Sequence, residues 1–279
     1  SDPSIKRAYT PAPRHRGLYE EFVYPRQPNV VMSADALDGK PALQRSLRHR
    51  DTPESVAEFS FFLDHGTSEE NIRRRAEMVL AVDEGLGRII ETLEAADALD
   101  NTMILFTSDN GFFFGEHWLS QERRLPYEES IRQPLLVRFP RLIEPGTRID
   151  GLAVSVDIAP TVLEVGGVTI GDHVQGQSLV PLMRGDDADW RESVLIEFYT
   201  HENPRPWLMD MDYRAVRTDR YKLIHWIQHP DERELYDLQK DPYEMRNLIG
   251  EPAMSDVVVD LEGELSRLVL DAMGITRAR

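Results

Sequence analysis

The chain has no cysteine, which excludes a disulfide framework and leaves the redox compartment open. It has no apolar run long enough to span a membrane and no signal-peptide pattern. Internal repeats and low-complexity tracts are also absent. Positive charge is scarce: 32 Lys and Arg against 49 Asp and Glu leave a formal net charge of −17. That balance argues against nucleic acid, which needs a basic face for its phosphates, and against anionic membranes. An anionic substrate would have to be captured by local cations or a metal, against the field of the whole molecule. What remains is 279 residues, 41% of them apolar, enough for one large core or a core plus a subdomain.

Residues 101–107 (NTMILFT) are apolar and rich in β-formers, and read as a short buried strand. Polar residues begin abruptly at its carboxyl end, with Ser108-Asp109-Asn110-Gly111. Open α/β sheets build ligand sites at that place. The Asp109 carboxylate beside the Asn110 amide oxygen suits a hard cation such as Ca²⁺ or Mg²⁺. Asp and Asn before Gly also suit a plain turn, and the pair alone does not separate the two readings. Gly111 and Gly115 would let the chain return His117 toward the same pocket.

Elsewhere the pattern is mixed. Residues 1–50, rich in Pro and Arg, read as an extended surface segment. Thr67-Ser68-Glu69-Glu70 reads as a capping box opening a long helix, with Ile72, Ala76, Val79, Leu86, Ile90 and Leu93 on a buried face and Asp83 beside them. Residues 135–139 form a second strand, and Asp157 caps a helix that runs to Gly166-Gly167. Residues 193–198, 213–218, 221–226 and 234–238 alternate like a small antiparallel sheet. A final helix over 257–273 places Leu261, Leu265 and Leu268 on one side. The fold class is α/β, with a mixed-sheet core over 1–189 and an α+β subdomain over 190–279 beginning near Trp190. His201, Arg205 and Trp207 fall in a Pro-broken loop and receive no assignment.

Several segments in order carry a family resemblance: Tyr9 to His15, Val82 to Arg88, Tyr127 to Pro134, Val156 to Thr161, Arg217 to Lys222 and Glu234 to Leu238. Together with Asp109-Asn110-Gly111 and Gly115-Glu116-His117, they resemble the carboxyl-terminal part of a type I sulfatase of the alkaline phosphatase superfamily. The resemblance implies a sulfuric ester hydrolase, with Asp109 and Asn110 as ligands of Ca²⁺ (or Mg²⁺). It makes His117 a sulfate contact or proton donor. The family's lysine before Tyr127 is Arg123 here, with Arg124 adjacent; Arg clamps sulfate oxygens in a fork but gives up a proton poorly. Tyr127, Glu128 and Glu129 are expected to fix the loop against the next strand.

The family's Cys-x-Pro-Ser-Arg signature, whose cysteine becomes formylglycine, has no counterpart in a chain without cysteine. Ser1 to Ile5 only superficially echoes it, and Lys6 stands where the family places a histidine. The chain is therefore expected to be a fragment, inactive alone, with the formylglycine belonging to the parent protein. Its expected partner is a sulfated small molecule or glycan. A homodimer is expected to cover apolar surface on the truncated side. A periplasmic or secreted location would follow from a leader on the lost amino terminus. The competing readings are a phosphodiesterase or phosphonate monoester hydrolase of the same superfamily, and a non-catalytic binding domain. Asp109-Asn110-Gly111, in place of the Asp-His-Gly common in the former, favours the sulfatase.

Overall fold

The computed structural model describes residues 9–31, 33–46, 67–120, 123–199 and 210–275. Ser1 to Ile5, Lys6, His201, Arg205 and Trp207 lie outside the described residues. Strand β1 (Ile104–Thr107) pairs antiparallel with β2 (Leu135–Arg138), Leu105 opposite Val137. Strands β3 (Ser193–Phe198), β4 (Tyr213–Thr218), β5 (Tyr221–Trp226) and β6 (Arg233–Asp237) form an antiparallel sheet in sequential order. The helices are α1 (Pro41–Ser46), α2 (Glu69–Ala95), α3 (Glu128–Ile131), α4 (Ile158–Val165), α5 (Val180–Met183) and α6 (Ser255–Ala272).

The four-stranded sheet is the middle layer, and period-two alternation decides which side chains face which layer. Val216, Leu223 and Leu235 point to one face, where Leu261 and Leu265 of α6 cover them at helical spacing. Tyr213, Ala215, Ile224, Trp226 and Tyr236 point to the other face and meet Leu37, Leu43, Phe113, Leu125 and Tyr127. The portions expected on either side of Trp190 therefore share one core. The fully buried Leu223 and Ile224 each contribute about 1.5–3 kcal/mol of burial, on opposite faces of one strand.

Several expectations change. The amino-terminal segment is more than a surface wrap, since Leu37, Lys40, Ala42 and Leu43 are buried. Helix α2 is capped by the Ser68 side chain, which accepts the Asn71 N–H; with Asn71 at the third helical position, no Glu side chain completes a box. Its expected buried face is only partly covered: Ile72 is buried, Ala76, Leu86, Ile90 and Leu93 are half-buried, and Val79 is more than half exposed, as are the neighbouring Val82 and Ile89; Asp83 is exposed too. Strand β1 is half-buried rather than buried, having a single strand neighbour among the described residues. Asp157 stands at the N-cap position of α4, but its side chain makes no cap hydrogen bond to that helix. Its carboxylate accepts from the N–H groups of Val154 and Gln177 and from the Arg191 guanidinium, tying three loops together.

Candidate active site

The turn after β1 is held by backbone before any side chain acts. The Gly111 N–H donates to the Ser130 carbonyl at 2.8 Å, and the Phe112 N–H to the Glu129 carbonyl at 2.7 Å. A Cβ on Gly111 would lie 1.9 Å from that Glu129 oxygen, so only glycine allows this approach. Asp109 Oδ1 accepts the N–H of the next residue, Asn110, at 2.9 Å. Both side chains are exposed. They line a cleft of about 1420 Å³ together with Arg123, Arg124, Arg132 and Arg217. Asp109, Asn110 and Arg123 thus line one cleft, whose wall carries both signs of charge, with Asp150, Glu197 and Asp219 on it as well as the arginines.

His117 is placed differently. It is 1% exposed and does not line the cleft. Its Nε2 stands 3.3 Å from Glu129 Oε2 and 3.3 Å from Asn29 Nδ2, and its ring lies 4.5 Å from the Tyr127 ring. Burial lowers its pKa to about 4, outweighing the stabilising contact with Glu129. The imidazole is therefore neutral near pH ~7. A buried neutral imidazole is not poised to hand a proton to a substrate in the cleft.

Beneath the cleft lies an ionic cluster that sequence reading missed. Lys222, fully buried on β5, sits 3.1 Å from Glu128 Oε1 and 2.6 Å from Glu244 Oε1. Arg217 adds a second cation to Glu128, at 3.1 Å. Burial raises Glu128, but Lys222 and Arg217 outweigh it and hold its pKa at about 2. Among the described residues Glu244 has no second cation within salt-bridge distance, and burial raises it to about 7. Buried Glu234 accepts from the hydroxyls of Tyr127 and Tyr236 and from the indole N–H of Trp226. Buried Lys40 donates to the Tyr236 hydroxyl at 2.7 Å and lies over the Tyr127 and Tyr236 rings. Tyr127 and Glu128 are structural, as expected, but they anchor to β4, β5 and β6 rather than to the adjacent strand β2. One signal was available for Lys222: alternation places it on the same strand face as Ile224 and Trp226. Nothing local marked Asn29, Lys40 or Glu244.

Comparison with known proteins bears on both layers. Residues 115–271 match the N-sulphoglucosamine sulphohydrolase C-terminal family, and residues 24–168 match the Sulfatase family. The chain belongs to the sulfatase family. It is 42% identical over 176 residues to an N-acetylglucosamine-6-O-sulfatase of Bacteroides thetaiotaomicron, covering 62% of this chain and 31% of that protein. It is 31% identical over 198 residues to the human N-acetylglucosamine-6-sulfatase, covering 70% of this chain and 34% of that one. The chain thus spans about a third of the length of these relatives. A solved complex with its substrate D-glucosamine-2-N,6-O-disulfate superposes with TM-score 0.76 at 28% identity, covering 97% of this chain and 64% of that one. The phosphonate monoester hydrolase of Agrobacterium radiobacter gives 0.63 at 27% identity, covering 74% and 43%.

Sulfatases use a metal ion, and two groups among the described residues have ligand chemistry. Nε2 of His117 and carboxylate oxygens of Glu129 and Glu244 lie within 4.8 Å of one another. The Lys222 ammonium 2.6 Å from Glu244 already occupies the cationic place there, so a second cation would meet like charge. Asp109 and Asn110 fit better. They offer two hard oxygens on an open cleft, a partial set that needs further donors to reach the roughly 6–8 that Ca²⁺ takes.

Proposed function

We propose that this chain is the carboxyl-terminal part of a sulfatase that cleaves a sulfate monoester of an amino-sugar glycan. The observation that carries this is the convergence of Asp109, Asn110 and Arg123 on one cleft. The N-acetylglucosamine sulfatase relatives and the glucosamine disulfate complex support the substrate class. Asp109 and Asn110 would supply two of the oxygen donors to a Ca²⁺ ion, and Arg123 would grip sulfate oxygens through its planar fork. A cation bound there would supply Lewis-acid charge to the sulfate oxygens. A guanidinium in that place stabilises developing charge but does not protonate the leaving alkoxide. The nucleophile is not among these residues, and the 279-residue chain by itself should turn over neither aryl sulfates nor phosphate esters.

The test is calorimetric titration of the chain with glucosamine 6-sulfate in the presence of Ca²⁺. Binding that is lost in Asp109→Ala and weakened in Arg123→Ala is expected. Equal binding of unsulfated glucosamine, or unchanged binding in both variants, refutes the reading. Turnover of an aryl sulfate that His117→Ala abolishes would refute the inactivity of the isolated chain.

A further inference from the structure

The chain bends abruptly between Gly115 and Leu119, and two consecutive side-chain-bearing residues, His117 and Trp118, adopt left-handed backbone at φ 52° and 56°. Such conformations cost about 1–2 kcal/mol each and persist only where surrounding contacts over-determine them. The contacts at His117 come from three sides. Its N–H donates to the Asn29 carbonyl at 3.0 Å, its Nε2 faces Glu129 and the Asn29 amide, and its ring rests against Tyr127. Asn29 in turn donates to Glu129 Oε1 at 2.6 Å and to the Tyr243 carbonyl at 3.2 Å. Glu129 is therefore held at one carboxylate oxygen by Asn29, while its other oxygen faces His117 Nε2 at 3.3 Å. At its backbone, the carbonyls of Glu129 and Ser130 receive the N–H groups of Phe112 and Gly111.

This layout separates His117 from the cleft by one residue. On one side of Glu129 stands the buried imidazole; on the other, the turn that presents Asp109 and Asn110. We propose that His117 is a positioning residue, which fixes the Glu129–Ser130 backbone and through it the turn that carries Asp109 and Asn110. The direction of the effect follows from the connectivity. Removing the imidazole leaves the Glu129 carboxylate to Asn29 alone and takes away the ring that packs on Tyr127, so the start of α3 loosens and the carbonyls that seat Gly111 and Phe112 loosen with it. Outer-shell partners of ligating groups typically cost about 10–100-fold in metal affinity when removed. The link to metal rests on the reading of Asp109 and Asn110 as ligands; the link to the turn does not.

Hydrogen exchange followed by NMR on the 279-residue chain separates the two. In His117→Ala, protection of the Gly111 and Phe112 amides should fall about tenfold or more, while amides paired between β4 and β5 keep theirs. Ca²⁺ titration of the same signals should show half-saturation rising by about tenfold. His117→Gln, which can still donate to Glu129, should restore both. Where His117→Ala does not fold, His117→Phe, which keeps a ring on Tyr127 and removes the nitrogens, carries the same expectation. Unchanged protection at Gly111 and Phe112 in a folded variant overturns the proposal, as does equal loss across the whole sheet. Local loss of protection with no Ca²⁺ response in any variant supports the positioning role and overturns the metal assignment instead.

Discussion

Lys222→Met tests whether the buried cluster is held together by charge. The Lys222 ammonium is fully buried and shared by Glu128 at 3.1 Å and Glu244 at 2.6 Å. Met fills nearly the same volume, so the change removes charge without opening a large void. Glu128 keeps Arg217, and the loss falls on Glu244. Removing one member of a buried ion pair costs roughly 3–5 kcal/mol, because the other charge is left without compensation. Glu244 can escape by taking a proton. Burial already holds its folded pKa at about 7, against the opposing pull of Lys222. Without that pull it rises further, so the folded variant binds a proton that wild type releases. The penalty should therefore be largest at alkaline pH and shrink as pH falls, by up to about 1.4 kcal/mol per pH unit. Urea unfolding of both chains, followed by tryptophan fluorescence at pH ~6 and ~8, measures the difference. Lys222→Met/Glu244→Gln should recover most of the lost stability at pH ~8. An equal loss at both pH values, or one below ~1 kcal/mol, would show that the ammonium is not what holds the Glu244 charge.

The acid limb should be governed by Glu128, whose folded pKa of about 2 lies below its ordinary 4.5. Its stabilisation is full above the ordinary carboxyl range and is lost as pH falls toward about 2, so Glu128→Gln should flatten unfolding curves in that window. Glu244 has the opposite sign: its contribution is full below 4.5 and is lost as pH rises through about 7. Gly111→Ala should destabilise by roughly 1–3 kcal/mol or more, since its Cβ would meet the Glu129 carbonyl at 1.9 Å; a wild-type melting curve would refute the close approach. Exposed Val79, Val82 and Ile89 on α2 should drive self-association at high concentration, read by sedimentation velocity and reduced by Val82→Glu; a monomer throughout would refute it.

The sequence alone settled what depends on neighbours a few residues away. The strands over 193–198, 213–218 and 221–226 were legible because alternation and turn residues act locally, and α6 because Leu261 and Leu265 recur at helical spacing. Asp109-Asn110-Gly111 stood out because polar residues interrupt an apolar strand. Partners far apart in the chain were not legible. Lys40 meets Tyr236 across 196 residues, Asn29 meets Glu129 across 100, and Lys222 meets Glu128 across 94. No local pattern encodes such pairs, because each is chosen by which faces the sheet and helices bring together. The same reason explains α2. Periodicity shows which face of a helix is apolar, but packing decides whether anything covers it. For His117 it is likewise tertiary structure that decides, turning toward Glu129 and the core a side chain that the motif alone would aim at the cleft.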